Sequence, residues 1–157
     1  MRKHILCVLF AMSCLMLFSL NAAAQKPRAS VSATEVNGTF QHAFGGKFKG
    51  STSEIKILSI GKGKLKVAFD LVYPFVGGTG QLDANVGQAE GEASIAADTA
   101  VFTSREYGET ECRIEIKFVK PGLIRVSLND DSTGCGFGLN VSANGTYRKT
   151  SSKKPKF

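Results

Sequence analysis

Between Lys64 and Tyr73 the chain alternates without a break. Leu65, Val67, Phe69, Leu71 and Tyr73 fall on one parity, and Lys64, Lys66, Ala68 and Asp70 on the other. A period of two places successive side chains on opposite faces, so this stretch specifies a half-buried strand and excludes a helix. Weaker forms of the same pattern recur along the chain. Glu54 to Ile60 reads as a strand joined to Lys64–Phe75 through the turn Gly61-Lys62-Gly63, and Gln88 to Ile95 sets Ala89, Gly91, Ala93 and Ile95 on one face. The small residues of that inner face predict a bulky group opposite. Thr99 to Ser104 follows, and then two strands joined by Lys120-Pro121-Gly122, with Cys112, Ile114, Ile116 and Phe118 inward on the first and Ile124, Val126 and Leu128 on the second. Cys135, Phe137, Leu139, Val141 and Ala143 also share one parity and read as a further strand. Pro74 cannot donate to a ladder, so pairing is expected to stop there and Val76 to Val86 to form a glycine-rich loop.

About eight strands at spacings of eight to twelve residues, with no long run of helical period, give an all-β fold. The expected architecture is a single small antiparallel β-barrel of meander topology with first and last strands paired, the alternative being a β-sandwich. The two ends of the body favour closure: Asn37-Gly38-Thr39-Phe40 begins it and Asn144-Gly145-Thr146-Tyr147 ends it. Pairing them removes exposed edges. An immunoglobulin-type sandwich fits less well, because the chain has no Trp and its cysteine spacing is short for that fold's inter-sheet bridge.

Residues 1–24 carry the parts of a secretory signal peptide: basic Arg2 and Lys3, an apolar run from Ile5 to Leu20, and Ala22, Ala23 and Ala24 before Gln25. The expected division is therefore a signal peptide at 1–24, an N-terminal arm at 25–37, a barrel domain at 38–149 and a basic tail at 150–157. The expected location is exported, in the periplasm or secreted. Of the 4 cysteines, Cys7 and Cys14 belong to the leader, which leaves Cys112 and Cys135 as a pair in an oxidising setting, where a disulfide is the natural state.

The formal charge of +7 is concentrated at the ends of the chain. Between Ala29 and Tyr147, 11 basic residues face 13 acidic ones. A near-neutral body with basic ends argues against a domain that reads a specific nucleic acid. Lys47, Lys49, Lys56, Lys62, Lys64 and Lys66, with Glu54 among them, form a candidate binding surface for an anionic partner, to be weighed against an ordinary solvated sheet face. The tail, KTSSKKPKF, is suited to weak contact with an anionic polymer or membrane surface and equally to a solubilising role.

Little in the sequence supports catalysis. His42 is the one histidine outside the leader, and no metal or cofactor is expected. Gly45-Gly46-Lys47-Phe48 offers Phe where a phosphate loop needs Ser or Thr, so it reads as a turn. Asp70, Glu90, Glu92 and Tyr73 are the residues from which a small hydrolase or isomerase could be assembled in a barrel mouth. The expectation is a non-enzymatic binding protein for a small ligand or an envelope protein, with that enzyme and a tail-held structural protein of the envelope as alternatives. The segment Gly134-Cys135-Gly136-Phe137-Gly138, followed by Asn140-Val141 and Gly145-Thr146-Tyr147, resembles the end of small exported bacterial proteins of unassigned function. That resemblance implies a compact β-domain and carries over no catalytic residue; periplasmic lysozyme inhibitors share only the general plan.

Overall fold

A computed structural model describes residues 30–106, 111–128 and 132–157. The expected signal peptide and the first residues of the arm lie outside the described residues. The described residues form a closed antiparallel barrel in which each strand pairs with the next and the last returns to the first. The strands are β1 (Gly38–Ala43), β2 (Thr52–Gly61), β3 (Lys64–Val76), β4 (Leu82–Ala96), β5 (Thr99–Ser104), β6 (Cys112–Lys120), β7 (Leu123–Leu128) and β8 (Gly145–Ser151). A single turn of helix, α1 (Ala33–Val36), precedes β1.

The interior is filled by the inward parity of each strand. Phe40, Ile55, Ile57, Phe69, Phe102, Ile114, Ile116 and Ile124 are almost wholly withdrawn from solvent. Phe69 and Phe102 meet edge to face with centroids 5.2 Å apart, and Phe40 meets Phe118 in the same way at 6.5 Å. The bulky group opposite the small face of β4 is Phe102: a Cβ added at Gly91 would stand 3.1 Å from its ring. These inward side chains form one buried cluster among the described residues, the filled alternative open to an eight-stranded barrel.

The two ends of the barrel differ. At one end the strands are joined by tight turns at Lys62-Gly63, Ala97-Asp98 and Pro121-Gly122, and α1 covers the opening. Ser32 caps α1 through a reciprocal capping box with Glu35. Lys149, from β8, donates to the carbonyl oxygens of Thr34, Glu35 and Asn37 at 3.0, 2.7 and 2.8 Å, and its ammonium lies 5.0 Å from the centre of the Phe40 ring. A cation on the free carbonyls of a helix end is favourable for both. Burial pulls the Lys149 pKa down, and Glu35 opposes this. At the other end lie the connections Phe44–Ser51 and Gly77–Gln81 and the irregular segment 136–144.

Three expectations are corrected here. Cys135 to Ala143 is not a strand: Ser132–Cys135 is a 3-10 turn and residues 136–144 are irregular, with φ positive at Gly136 and Asn140. Cys135, Val141 and Ala143 are buried as their parity implies, but Leu139 is 78% exposed. The irregular path also allows a bridge to β6, which β8 does not adjoin. Cys135 sits in the turn that curls back over the start of β6, where its Cα lies 4.5 Å from that of Cys112, and the two are joined by a disulfide. Second, Pro74 does not end pairing; β3 continues to Val76 and β4 begins at Leu82, leaving Gly77–Gln81 as the loop. Beyond Thr52 there is no β2 residue opposite β3, so the missing donor of Pro74 takes nothing from a ladder. Third, Tyr73 shares the inward parity but not the interior, because β3 has by then passed the barrel rim; it is 39% exposed.

The bridge spans 23 residues of sequence. Replacing both Cys112 and Cys135 by Ser is expected to lower unfolding free energy in urea by about 3 kcal/mol, from the restored loop entropy of the unfolded chain, with the far-ultraviolet spectrum of the folded barrel retained. Lys149→Met keeps the apolar stem and removes three hydrogen bonds to carbonyl oxygens. It is expected to destabilise by about 2 kcal/mol in the same assay and to raise amide exchange in α1 before that of the strands.

Candidate functional site: the outer face and the projecting hairpin

Along β3 and β4 the cross-strand pairs show which side chains share the outer face. From the turn outward these are Lys64 with Ser94, Lys66 with Glu92, Ala68 with Glu90, and Asp70 with Gln88. This part is polar and charged in alternation. Lys64 donates to Glu92 at 2.7 Å, Lys66 pairs with Glu90 at 2.8 Å, and Lys56 on β2 approaches Glu54 at 3.7 Å. Gln88 donates to Asp70 at 3.5 Å.

The character changes where the hairpin leaves the barrel. The next three outer pairs are Val72 with Val86, Pro74 with Ala84 and Val76 with Leu82, every one apolar. Leu82 and Val86 are each 62% exposed, and Val76 is exposed beside them. Phe48, from the 3-10 turn Gly46–Phe48, stands near Pro74, and with Ser51, Leu82, Asp83 and Ala84 they enclose a groove of about 320 Å³. On the inner side of the same hairpin, Asn85 donates through Nδ2 to the carbonyl of Leu139 at 2.7 Å. Gly87 lets the segment approach, since a Cβ there would come within 3.0 Å of Phe137 and closer still to Val141. Thus Phe137 and Val141 plug the second end of the barrel while Leu139 is left outside it.

The lysines singled out from sequence are not one patch. Lys47 and Lys49 belong to the long-connection end, where Lys47 lies 5.1 Å from the centre of the Phe48 ring. Lys62 is in the tight turn at the opposite end, and Lys56, Lys64 and Lys66 lie between, each beside a carboxylate. The carboxylates considered for catalysis, Asp70, Glu90 and Glu92, face outward on the barrel wall, and Tyr73 is at the rim on the other face of the hairpin. His42 bonds through Nδ1 to the carbonyl of Thr146 at 3.1 Å and packs against Phe44 and Tyr147. Tyr147 donates its buried hydroxyl to the carbonyl of Ala143, and burial pushes its pKa up. Among the described residues no group of three His, Cys, Asp or Glu side chains is placed to hold a metal ion.

Sequence reasoning missed the apolar stripe. Leu71 to Val76 is apolar on both parities, so the run itself does not say which face meets solvent; the register against Leu82–Val86 does. No family model, curated protein or solved structure matches the chain. The resemblance of the segment around Cys135 to small exported bacterial proteins stands on those residues alone.

The ion pairs of the outer face are half exposed, and such pairs contribute little. The double variant Glu90→Gln, Glu92→Gln is expected to change the urea unfolding free energy by less than about 1 kcal/mol at low ionic strength. A larger loss would show that this face works as a coupled network.

Proposed function

We propose that the chain is an exported, non-enzymatic binding protein that holds a partner protein against the end of its barrel formed by the β3–β4 hairpin. One observation carries this reading. All six outward positions of the projecting part of the hairpin are apolar, with Val76, Leu82, Ala84 and Val86 exposed, Val72 half-buried and Pro74 buried, while the outer face immediately behind them is charged. Exposed apolar surface gathered at one place and rimmed by polar groups is the usual character of a protein-contact site. The apolar side chains gathered in the described interior support the same reading, because they favour recognition on the outside. Export rests on the leader-like sequence at 1–24 and is consistent with a bridged cysteine pair.

A protein partner suits the stripe better than a small molecule. The surface is a ribbon two strands wide with one shallow groove beside Phe48, and contacts spread along such a ribbon need an extended complementary surface. The test is capture from envelope or culture extracts of the source cells with a photo-crosslinking residue at position 84. The unaltered surface is expected to yield a discrete cross-linked protein. Adding Leu82→Asp and Val86→Asp should reduce it at least tenfold with an unchanged thermal midpoint, since both side chains are exposed in the free protein. Capture indifferent to both substitutions would refute the site, and a purified protein that captured nothing while turning over a substrate would refute the class.

A further inference from the structure

The segment after β8 does not trail away from the barrel. Residues 152–157 cross the outer face of the sheet, and Phe157 comes to rest with its ring centre 4.6 Å from the ammonium of Lys66. Its ring forms one wall of a groove of about 350 Å³ whose other walls are Lys56, Ala68, Asp70, Gln88 and Glu90. Phe157 lines this space and does not fill it. Phe157 remains 41% exposed while seated, and open volume persists beside it. The polar groups on and beside the lining are of both signs. Lys66 presents its charge to an aromatic face while keeping its pair with Glu90, and Asp70 accepts a long hydrogen bond from Gln88.

We infer that the outer face around Lys66 is a peptide site that reads an aromatic side chain, and that residues 152–157 occupy it in cis as a displaceable cover. The resident segment supplies the one contact that defines the site: the Phe157 ring meets the Lys66 ammonium. Cation–aromatic contact and partial apolar burial are the main attractive contributions. They are opposed by the ordering of a lysine- and serine-rich segment, whose rotamer freedom is large. A hold of that kind is weak and exchangeable, and a competing segment of the same chemistry lowers its occupancy by mass action. The groove is independent of the apolar hairpin, which lies further along the same two strands.

The probe is a fluorescently labelled peptide, KTSSKKPKF, followed by anisotropy against the purified full chain. The full chain carrying Phe157→Ala is expected to bind it at least fivefold more tightly than the unaltered chain, because the cover is released. Adding Lys66→Met in that background should weaken binding at least fivefold, and a peptide with Ala in place of its Phe should not compete. Phe157 is exposed and beyond the last strand, so folding is not at issue for the first variant; an unchanged thermal midpoint checks it for the second. Equal affinity of the unaltered and Phe157→Ala chains, binding indifferent to Lys66, or no saturation at millimolar peptide would each overturn the inference.

Discussion

The pairing of β1 with β8 is the constraint on which the rest depends, because without it the molecule is a curled sheet with two open edges. That seam is short. Its register pairs are Thr39 with Ser151, Phe40 with Lys149 and Gln41 with Arg148, and it contains an irregularity between the first two. Side chains reinforce it from both sides. Asn37, just before β1, accepts the amide of Ser59 on β2 at 2.6 Å, and Asn144, just before β8, accepts the amide of Leu128 on β7 at the same distance. Each asparagine stands in for the rung its own backbone would have made one step earlier, so a strand-end donor keeps a partner as the chain turns into the seam. The glycines that follow serve the same entry. Gly38 has φ of +145°, and a Cβ on it would collide with the carbonyl oxygen of Ser151 across the seam. Lys149 then ties the seam to α1, and so to the plug over one end of the core.

Closure of this kind explains what was legible in the sequence. The repeated Asn-Gly-Thr-aromatic tetrad at Asn37 and Asn144 is the visible trace of a mirrored task on the two sides of one seam, and the repeat by itself points to pairing of the first and last strands. The strands β2, β3, β5, β6 and β7 are equally readable, because each is buried on one face and wet on the other. Where that condition fails, reading fails. Residues Leu82 to Val86 include Asp83, Ala84 and Asn85, a poor strand by composition, yet they extend β4 because β3 is present to pair with them. Gly136 to Ala143 has a strand's alternation, but positive φ at Gly136 and Asn140 bends it into a plug. Parity survives at Cys135, Val141 and Ala143 since those side chains still seek the core; at Leu139 there is no core to seek.

Candidate function follows the same division. The lysines were legible as a cluster because they are close in sequence, but sequence proximity on a long hairpin becomes separation in space. A span of about 3.3 Å per residue carries Lys47 and Lys62 to opposite ends of the barrel. What composition could not show was the partnering of Lys64 and Lys66 with Glu92 and Glu90, which come from a strand more than twenty residues further on and turn a basic run into a charge-alternating wall. Nor could it show Phe157 returning to Lys66, since nothing local in KTSSKKPKF distinguishes an ordered cover from a solvated tail.

The asymmetry between the ends of the barrel bears on where such a protein can change without unfolding. One end is fixed by three tight turns and by α1 locked under Lys149, so substitutions there act on the core directly. The other end holds the longer connections, and the Cys112–Cys135 bridge ties the turn Ser132–Cys135 to the start of β6. Beyond that anchor, the β3–β4 hairpin is held by its own ladder and by the contacts of Phe137, Val141 and Asn85, none of which involves the outward side chains of Val76, Leu82 or Val86. Those outward positions are thus energetically separable from the fold. Keeping apolar side chains there adds nothing to the core and exposes surface that water disfavours, which is the physical reason to look for the protein's working contact on that ribbon.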